Sequence, residues 1–262
     1  MFVPGSVQYG RPLARGYDEG RRLSSEAARV WREAIAPFLG VPARVLDLGA
    51  GTGRFAGVLT SFAGTSVIAV EPSPDMQAVA ISQPNAHAVA HVAGTGEQIP
   101  LVDGCCDLAW LSHVWHHVRD RARCVRELRR VVRSGGHVLI RGTFGDRLDG
   151  FPDLFRYFPG TRRTCEGLPT IAGTVAMFEG ETFTLVSDRR IRQQTCGSLR
   201  EFADRARLRA DSGLVLLPDD EFESGLDRLE KAAAGEQPTT PIVETLELLV
   251  FRATQLSATT DV

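Results

Sequence analysis

Lysine is almost missing from this sequence: of its 30 Lys and Arg residues, only Lys231 is a lysine. With it goes the Tyr-x-x-x-Lys dyad of many hydride-transferring enzymes, and the arginine excess fits GC-rich coding better than selection for phosphate forks. Long apolar runs are missing too, none approaching the roughly 18 residues of a membrane helix. Residues 1–16 show neither a basic n-region nor an apolar h-region, so neither secretion nor membrane insertion is expected. Charge of one sign is absent: the net charge is −2, which supplies no basic field for nucleic acid or an anionic membrane. The five cysteines form neither a disulfide framework nor a metal-ligand spacing, since Cys105 and Cys106 are adjacent and Cys124, Cys165 and Cys196 are scattered. A cytoplasmic location, thiols acting as small apolar side chains and no metal site are the expectations.

What is present, 43% hydrophobic and 24% charged residues, describes a globular chain. A helical pattern runs from a Ser24/Ser25 cap through Trp31, Ala34, Ile35 and Phe38 to Gly40. From Ala43 short apolar runs alternate with amphipathic stretches: strand 44–48, helix 54–63, strand 66–70, helix 74–82, strand 86–92, strand 107–112, helix 119–132 and strand 137–141. That alternation predicts a mostly parallel sheet with crossover helices. Beyond Gly142 come an aromatic stretch, separate strands at 182–187 and 190–195, helices near 198–209 and 219–234, and a last strand at 242–251. The expected organisation is an N-terminal lid and helix over 1–42, a ligand-binding core over 43–142, a cap with C-terminal strands of the same domain over 143–252, and a frayed tail over 253–262.

The informative segment is Val45-Leu46-Asp47-Leu48-Gly49-Ala50-Gly51-Thr52-Gly53, a strand running into a glycine turn that precedes a helix. In a parallel sheet such a turn faces the ligand crevice, and glycines let the backbone approach a ligand without Cβ obstruction. Glu71 ends the next strand, where a carboxylate can accept both hydroxyls of a ribose. Gly51-Thr52-Gly53-Arg54-Phe55-Ala56 also satisfies the dinucleotide pattern, so a nicotinamide-dependent oxidoreductase is one alternative. Asp47 argues against it, because an acid there repels a pyrophosphate and suits a ligand carrying an ammonium group, such as S-adenosylmethionine.

These residues resemble the class I S-adenosylmethionine-dependent methyltransferases, in particular the ubiquinone/menaquinone-biosynthesis type. Further matches are Val67 to Ser73 with its acid, Gly96-Glu97-Gln98-Ile99-Pro100-Leu101-Val102-Asp103-Gly104, Ser112-His113-Val114-Trp115-His116-His117-Val118, and the turn Arg133-Ser134-Gly135-Gly136. The resemblance implies a Rossmann-like seven-stranded, mostly parallel sheet with a reversed last strand, an N-terminal lid and a helical cap after strand five. It implies S-adenosylmethionine as cofactor, its methionine part held by Asp47, Gly49, Gly51 and Gly53, its ribose by Glu71, with Pro72 beside it and Met76 packed on adenine. Thr95, Gly96 and Glu97 match the adenine-edge segment, Thr95 standing where many relatives carry Asp. Ser112 is a further candidate for cofactor contact, and Tyr17 resembles part of a lid.

Methyl transfer is an in-line displacement, so positioning and water exclusion are the protein's main tasks. His113 and His116 are the candidate bases for an acceptor that must lose a proton, although His116 and His117 also read as packing for the following turn. Trp115, Arg147, Phe151, Phe155 and Tyr157 are the candidate acceptor residues, an aromatic lining suited to a flat or apolar small molecule. Arg141, Arg147 and Arg156 read either as partners for an acceptor carboxylate or phosphate, or as a solvated face. The arginine run 119–133 has apolar residues at helical spacing and reads as the outer face of a crossover helix. Ser112-His113-Val114-Trp115 is not the Asn/Asp-Pro-Pro-aromatic run of many nucleic-acid amino methyltransferases, which favours a small-molecule acceptor. A cofactor-binding protein without turnover is a further alternative, and the oligomeric state is not legible.

Overall fold

Alternation sets the sheet. In the computed structural model, which describes residues 16, 17 and 20–255, strand β4 (Cys106–Ser112) sends Leu108 and Trp110 into one buried cluster and Ala109 and Leu111 into another. A strand buried on both faces needs a layer of helices on each side. The other strands are β1 (Ala43–Leu48), β2 (Thr65–Glu71), β3 (Val89–Ala93), β5 (Val132–Gly142), β6 (Phe183–Cys196) and β7 (Ile242–Ala253). Their order is β3-β2-β1-β4-β5-β7-β6, with β7 antiparallel to both neighbours and the pairs from β3 to β5 parallel. The order reverses between β1 and β4, which places the ligand crevice at the carboxyl ends of those strands. Because β7 runs backwards, its first residues and the end of β6 reach the same edge.

Helices begin where side chains satisfy their free amides. Ser24 caps α1 (Ser25–Ile35), Ser73 caps α3 (Pro74–Ile81) with Pro74 in the first turn, and Asp120 caps α4 (Arg121–Val131). The short α2 (Ala56–Thr60) follows the glycine turn. After β5 come α5 (Pro152–Tyr157), α6 (Thr161–Thr164) and α7 (Ile171–Glu179), and after β6 come α8 (Leu199–Arg207), α9 (Ser212–Val215) and α10 (Asp219–Ala234). Tyr157, Phe158, Phe222, Leu214 and Leu217 form a third core under this cap, with Phe202 packed against it.

Three differences from the sequence reading have physical causes. The two strands read at 182–187 and 190–195 are one 14-residue strand. The charged Asp188-Arg189-Arg190 segment looks like a turn, but β6 is an edge strand whose charges pair outward: Arg147 bonds Asp188, and Arg190 bonds Asp149. The strand read at 137–141 starts at Val132, and Arg133 to Gly136 loops out as a bulge, since the partner of Cys106 is Val132 while that of Leu108 is His137. Helix α7 has no amphipathic signature, because Phe178 packs against Trp115 and Phe251 while Ile171 and Thr174 are also buried. The arginine run is held locally: Arg130 bonds Glu127 and Asp103, Arg133 bonds Asp107, and Arg129 bonds Thr182. Among the described residues no helix is long and apolar enough to cross a membrane. Of the N-terminal lid and helix expected over 1–42, residues 1–15, 18 and 19 lie outside the described residues, as does the tail from 256.

Candidate functional site

The glycine turn has a conformation that its sequence requires. Gly49, Gly51 and Gly53 have φ of 68°, 58° and 77°, in the left-handed region. At Gly49 a Cβ would also meet Val114 at 2.2 Å, whereas at Gly51 it would meet nothing within 4 Å, so this stretch of backbone borders open space. The turn is tied to β2: the Gly49 amide donates to the Val70 carbonyl at 2.8 Å and the Gly51 amide to Glu71 Oε2 at 2.9 Å. Glu71 Oε1 accepts from the Ser73 amide at 2.9 Å. Thus Glu71 braces two loops and keeps further lone pairs for a ligand.

A cleft of about 720 Å3 opens over this turn, a volume suited to a nucleoside-sized ligand. Tyr17, Asp47, Gly49, Gly51, Glu71, Pro72, Met76, Thr95, Gly96, Glu97 and Ser112 all line it. Gly53 does not, because it faces Ala80 of α3, where a Cβ would stand 3.4 Å from that side chain. It serves helix packing rather than ligand contact. Glu97 is partly committed, its Oε1 accepting from the Arg119 and Asp120 amides at the start of α4. Arg54, Phe55, Val118, Arg119 and Asp120 also line the cleft; the first three lie inside the quoted motifs, but motif order alone does not show that they face it.

Asp47 is 3% exposed, and its carboxyl makes no hydrogen bond or ion pair among the described residues. Burial, reinforced by the Glu71 charge, raises its pKa to about 7. Burial also raises that of Glu71, against the pull of its two backbone hydrogen bonds. A buried, unpaired acid bordering a cavity is a receptor for a cation.

The histidines sit where the cleft meets a second cavity of about 80 Å3 lined by Phe151, Leu154, Phe155 and Leu168. His113 and His117 border both spaces, His116 the smaller. His113 has φ of 55° and its ring lies 3.4 Å from Arg21 Nη2. Burial and the Arg141, Arg21 and Arg54 charges hold its pKa well below 6.5, and burial beside His117 does the same to His116. Burial lowers His117 to about 4. All are therefore neutral near pH 7.

The structure separates the expected acceptor residues. Phe151 and Phe155 line the second cavity, but Trp115, Tyr157 and Arg147 border neither it nor the cleft. Trp115 is core: it packs on Phe178 and donates to Thr174 Oγ1 at 3.0 Å. Tyr157 is buried under the cap near Phe202. Arg147 is engaged by Asp188 at 2.8 Å and by the buried Glu247 at 3.0 Å. Aromatic and arginine content alone could not separate pocket residues from those that pack the cap. Arg141 is fully buried, donating to Ser112 Oγ at 3.0 Å and Gln193 Oε1 at 2.9 Å and stacking over Trp31, while Arg156 is exposed over Tyr157.

The strand order with its reversed last strand, the glycine turn and the acid ending β2 define a class I methyltransferase scaffold. A model of the family described as methyltransferase domain matches residues 46–140. The chain belongs to the class I S-adenosylmethionine-dependent methyltransferase family. It is 30% identical over 176 residues to the ubiquinone/menaquinone biosynthesis C-methyltransferase UbiE of Geobacter sp. M21, covering 63% of this chain and 72% of that protein. It is 41% identical over 151 residues to the uncharacterized methyltransferase Rv3342 of Mycobacterium tuberculosis, a match that spans 57% of this chain and only 58% of that relative's length. Among solved structures, phosphoethanolamine N-methyltransferase 2 of Haemonchus contortus, in complex with phosphomonomethylethanolamine and S-adenosylhomocysteine, superposes with TM-score 0.60 at 16% identity, covering 95% of this chain and 58% of that one.

Proposed function

We propose that this protein is a cytoplasmic enzyme that transfers a methyl group from S-adenosylmethionine to O, N or C of a small organic acceptor. The observation that carries this reading is Asp47, a buried carboxyl with no partner among the described residues, beside an open glycine turn and across the cleft floor from Glu71. Those residues fit the cofactor. Asp47 offers a counter-charge to an ammonium group, Gly51 leaves room for close approach, and Glu71 keeps lone pairs for ribose hydroxyls. Met76 and Pro72 supply apolar surface for a flat base, and Thr95 to Glu97 border its edge.

When bound, S-adenosylmethionine supplies a methyl group on a cationic sulfonium with a good leaving group. The chain's part is then to align the acceptor and exclude water. His113 borders both the cleft and the aromatic cavity, so an acceptor with its apolar body against Phe151 and Phe155 places its reacting atom near that ring. A neutral His113 or His116 can take an acceptor proton, although their lowered pKa makes them weak bases. Acceptors that are already nucleophilic suit this site best.

The test is to incubate the purified protein with S-adenosylmethionine bearing a deuterated methyl group and a soluble metabolite extract, then follow small molecules by mass spectrometry. Label in a small molecule, matched by S-adenosylhomocysteine release and abolished by Asp47→Ala, is the expected result. No release above buffer, from protein that binds the cofactor, would refute turnover.

A further inference from the structure

Arg54, the residue directly after the glycine turn, is a partly buried cation in want of an anion. Its Nε and Nη1 are sealed from solvent and donate to nothing among the described residues. Its nearest aromatic contact is a distant approach to the Phe55 ring at 5.9 Å. Burial, with the Arg21 and Arg205 charges, lowers its pKa to about 10 against the opposite pull of Tyr17 and Glu244. It is thus a full cation at neutral pH, and among the described residues no ion pair offsets its desolvation.

Among the described residues the neighbourhood holds more cation than free anion. Asp211 is engaged by Arg21 at 2.5 Å and Glu201 by Arg205 at 2.7 Å. Glu244 already accepts from Gln193 Nε2 at 3.3 Å. Arg141 adds a buried guanidinium whose Nε is also without a partner.

Position selects the source of the missing anion. Arg54 borders both the large cleft and a further cavity of about 60 Å3. That cavity is built from the N-terminal segment between Gly20 and Ala27, the end of β6 (Gln193 to Cys196), Glu244 of β7 and the cap, toward the opposite edge of the sheet from β2 and β3. It shares Arg21, Leu154 and Asp211 with the aromatic cavity, so the two adjoin.

Resting on the methyltransferase reading, we infer that the acceptor is a small carboxylic acid. Its carboxylate seats on the Arg54 guanidinium and its apolar body lies against Leu154, Phe151 and Phe155. A planar guanidinium with unused donors matches a carboxylate, and a space of about 60 Å3 takes a headgroup rather than a whole molecule. The site binds the acid without bond changes. The methyl group goes to another atom of the same molecule or to the carboxylate after it turns toward the cleft.

The test titrates protein saturated with S-adenosylhomocysteine with benzoate, phenylacetate and 3-phenylpropionate, each against its amide, using wild type, Arg54→Gln and Arg54→Lys. At least one acid should bind about tenfold or more tighter than its amide. Arg54→Gln should abolish that preference and Arg54→Lys should keep part of it, with S-adenosylhomocysteine affinity within about twofold of wild type. Acids that bind no better than amides to wild type would overturn the inference whether or not the variants fold. A preference that survives Arg54→Gln would overturn it too. If Arg54→Gln weakens S-adenosylhomocysteine but not methylthioadenosine, which lacks the amino-acid portion, Arg54 holds the cofactor's carboxylate and the inference falls. Failure of wild type to bind S-adenosylhomocysteine at all would instead refute the function on which it rests.

Discussion

Raising the pH from 6 to 8 should tighten S-adenosylmethionine binding about tenfold. The argument starts from Asp47, whose burial raises its pKa to about 7. The ionised fraction then climbs from about 0.09 at pH 6 to about 0.91 at pH 8, and only the ionised form attracts an ammonium group. That ratio corresponds to about 1.4 kcal/mol. The sign for folding is opposite. An acid whose folded pKa lies above its unfolded value of 3.8 stabilises the fold below that value, and the contribution fades as pH rises toward 7. For a shift of about 3 units the loss is on the order of 4 kcal/mol in the ligand-free protein. Isothermal titration at pH 6, 7 and 8, with thermal unfolding of the ligand-free protein from pH 4 to 8, reads both effects. Asp47→Asn should bind more weakly and flatten the affinity profile. A wild-type affinity that is level across this range would refute the reasoning, as would a variant with the same slope.

Further predictions concern other parts of the site. Glu71→Ala removes the brace on the Gly51 and Ser73 amides, and should cost about 1.5–3 kcal/mol in cofactor affinity and lower Tm; unchanged values in both would remove Glu71 from the site. Replacing His113 with Ala should cut turnover roughly 100-fold if it takes the acceptor proton, with cofactor affinity kept. Because its pKa lies well below 6.5, the wild-type rate at saturating S-adenosylmethionine, where Asp47 ionisation no longer limits binding, should show no limb between pH 6 and 8, and a limb near pH 6.5 under that condition would contradict the burial argument. Arg147→Ala leaves the buried Glu247 with a weaker partner and should cost about 1–3 kcal/mol in urea unfolding while acceptor affinity stays unchanged.

How much the sequence disclosed depends on whether the signal was local. Asp47, the glycine turn and Glu71 are readable because strand, turn and carboxylate follow each other in the chain, and the cleft gathers them as the motif order implies. Gly53 shows the limit: motif spacing identifies a glycine, but only packing against Ala80 shows which way it faces. Trp115 and Tyr157 had the residue type of a pocket wall and proved to be core, because the difference rests on helix α7 and the cap, elements remote in sequence. Arg54 was in plain view within the motif. Its meaning arises from Arg21, Arg205 and Glu244, contributed by three distant segments. The edge strand β6 was split for a similar reason, since its charged middle is stabilised by partners on other elements.

The most direct test of the central claim is calorimetric titration of the purified protein with S-adenosylmethionine, S-adenosylhomocysteine and NAD in parallel. The account predicts micromolar binding of the first two, lost in Asp47→Ala, and none of NAD; binding of NAD alone would contradict the assignment of Asp47 and the function built upon it.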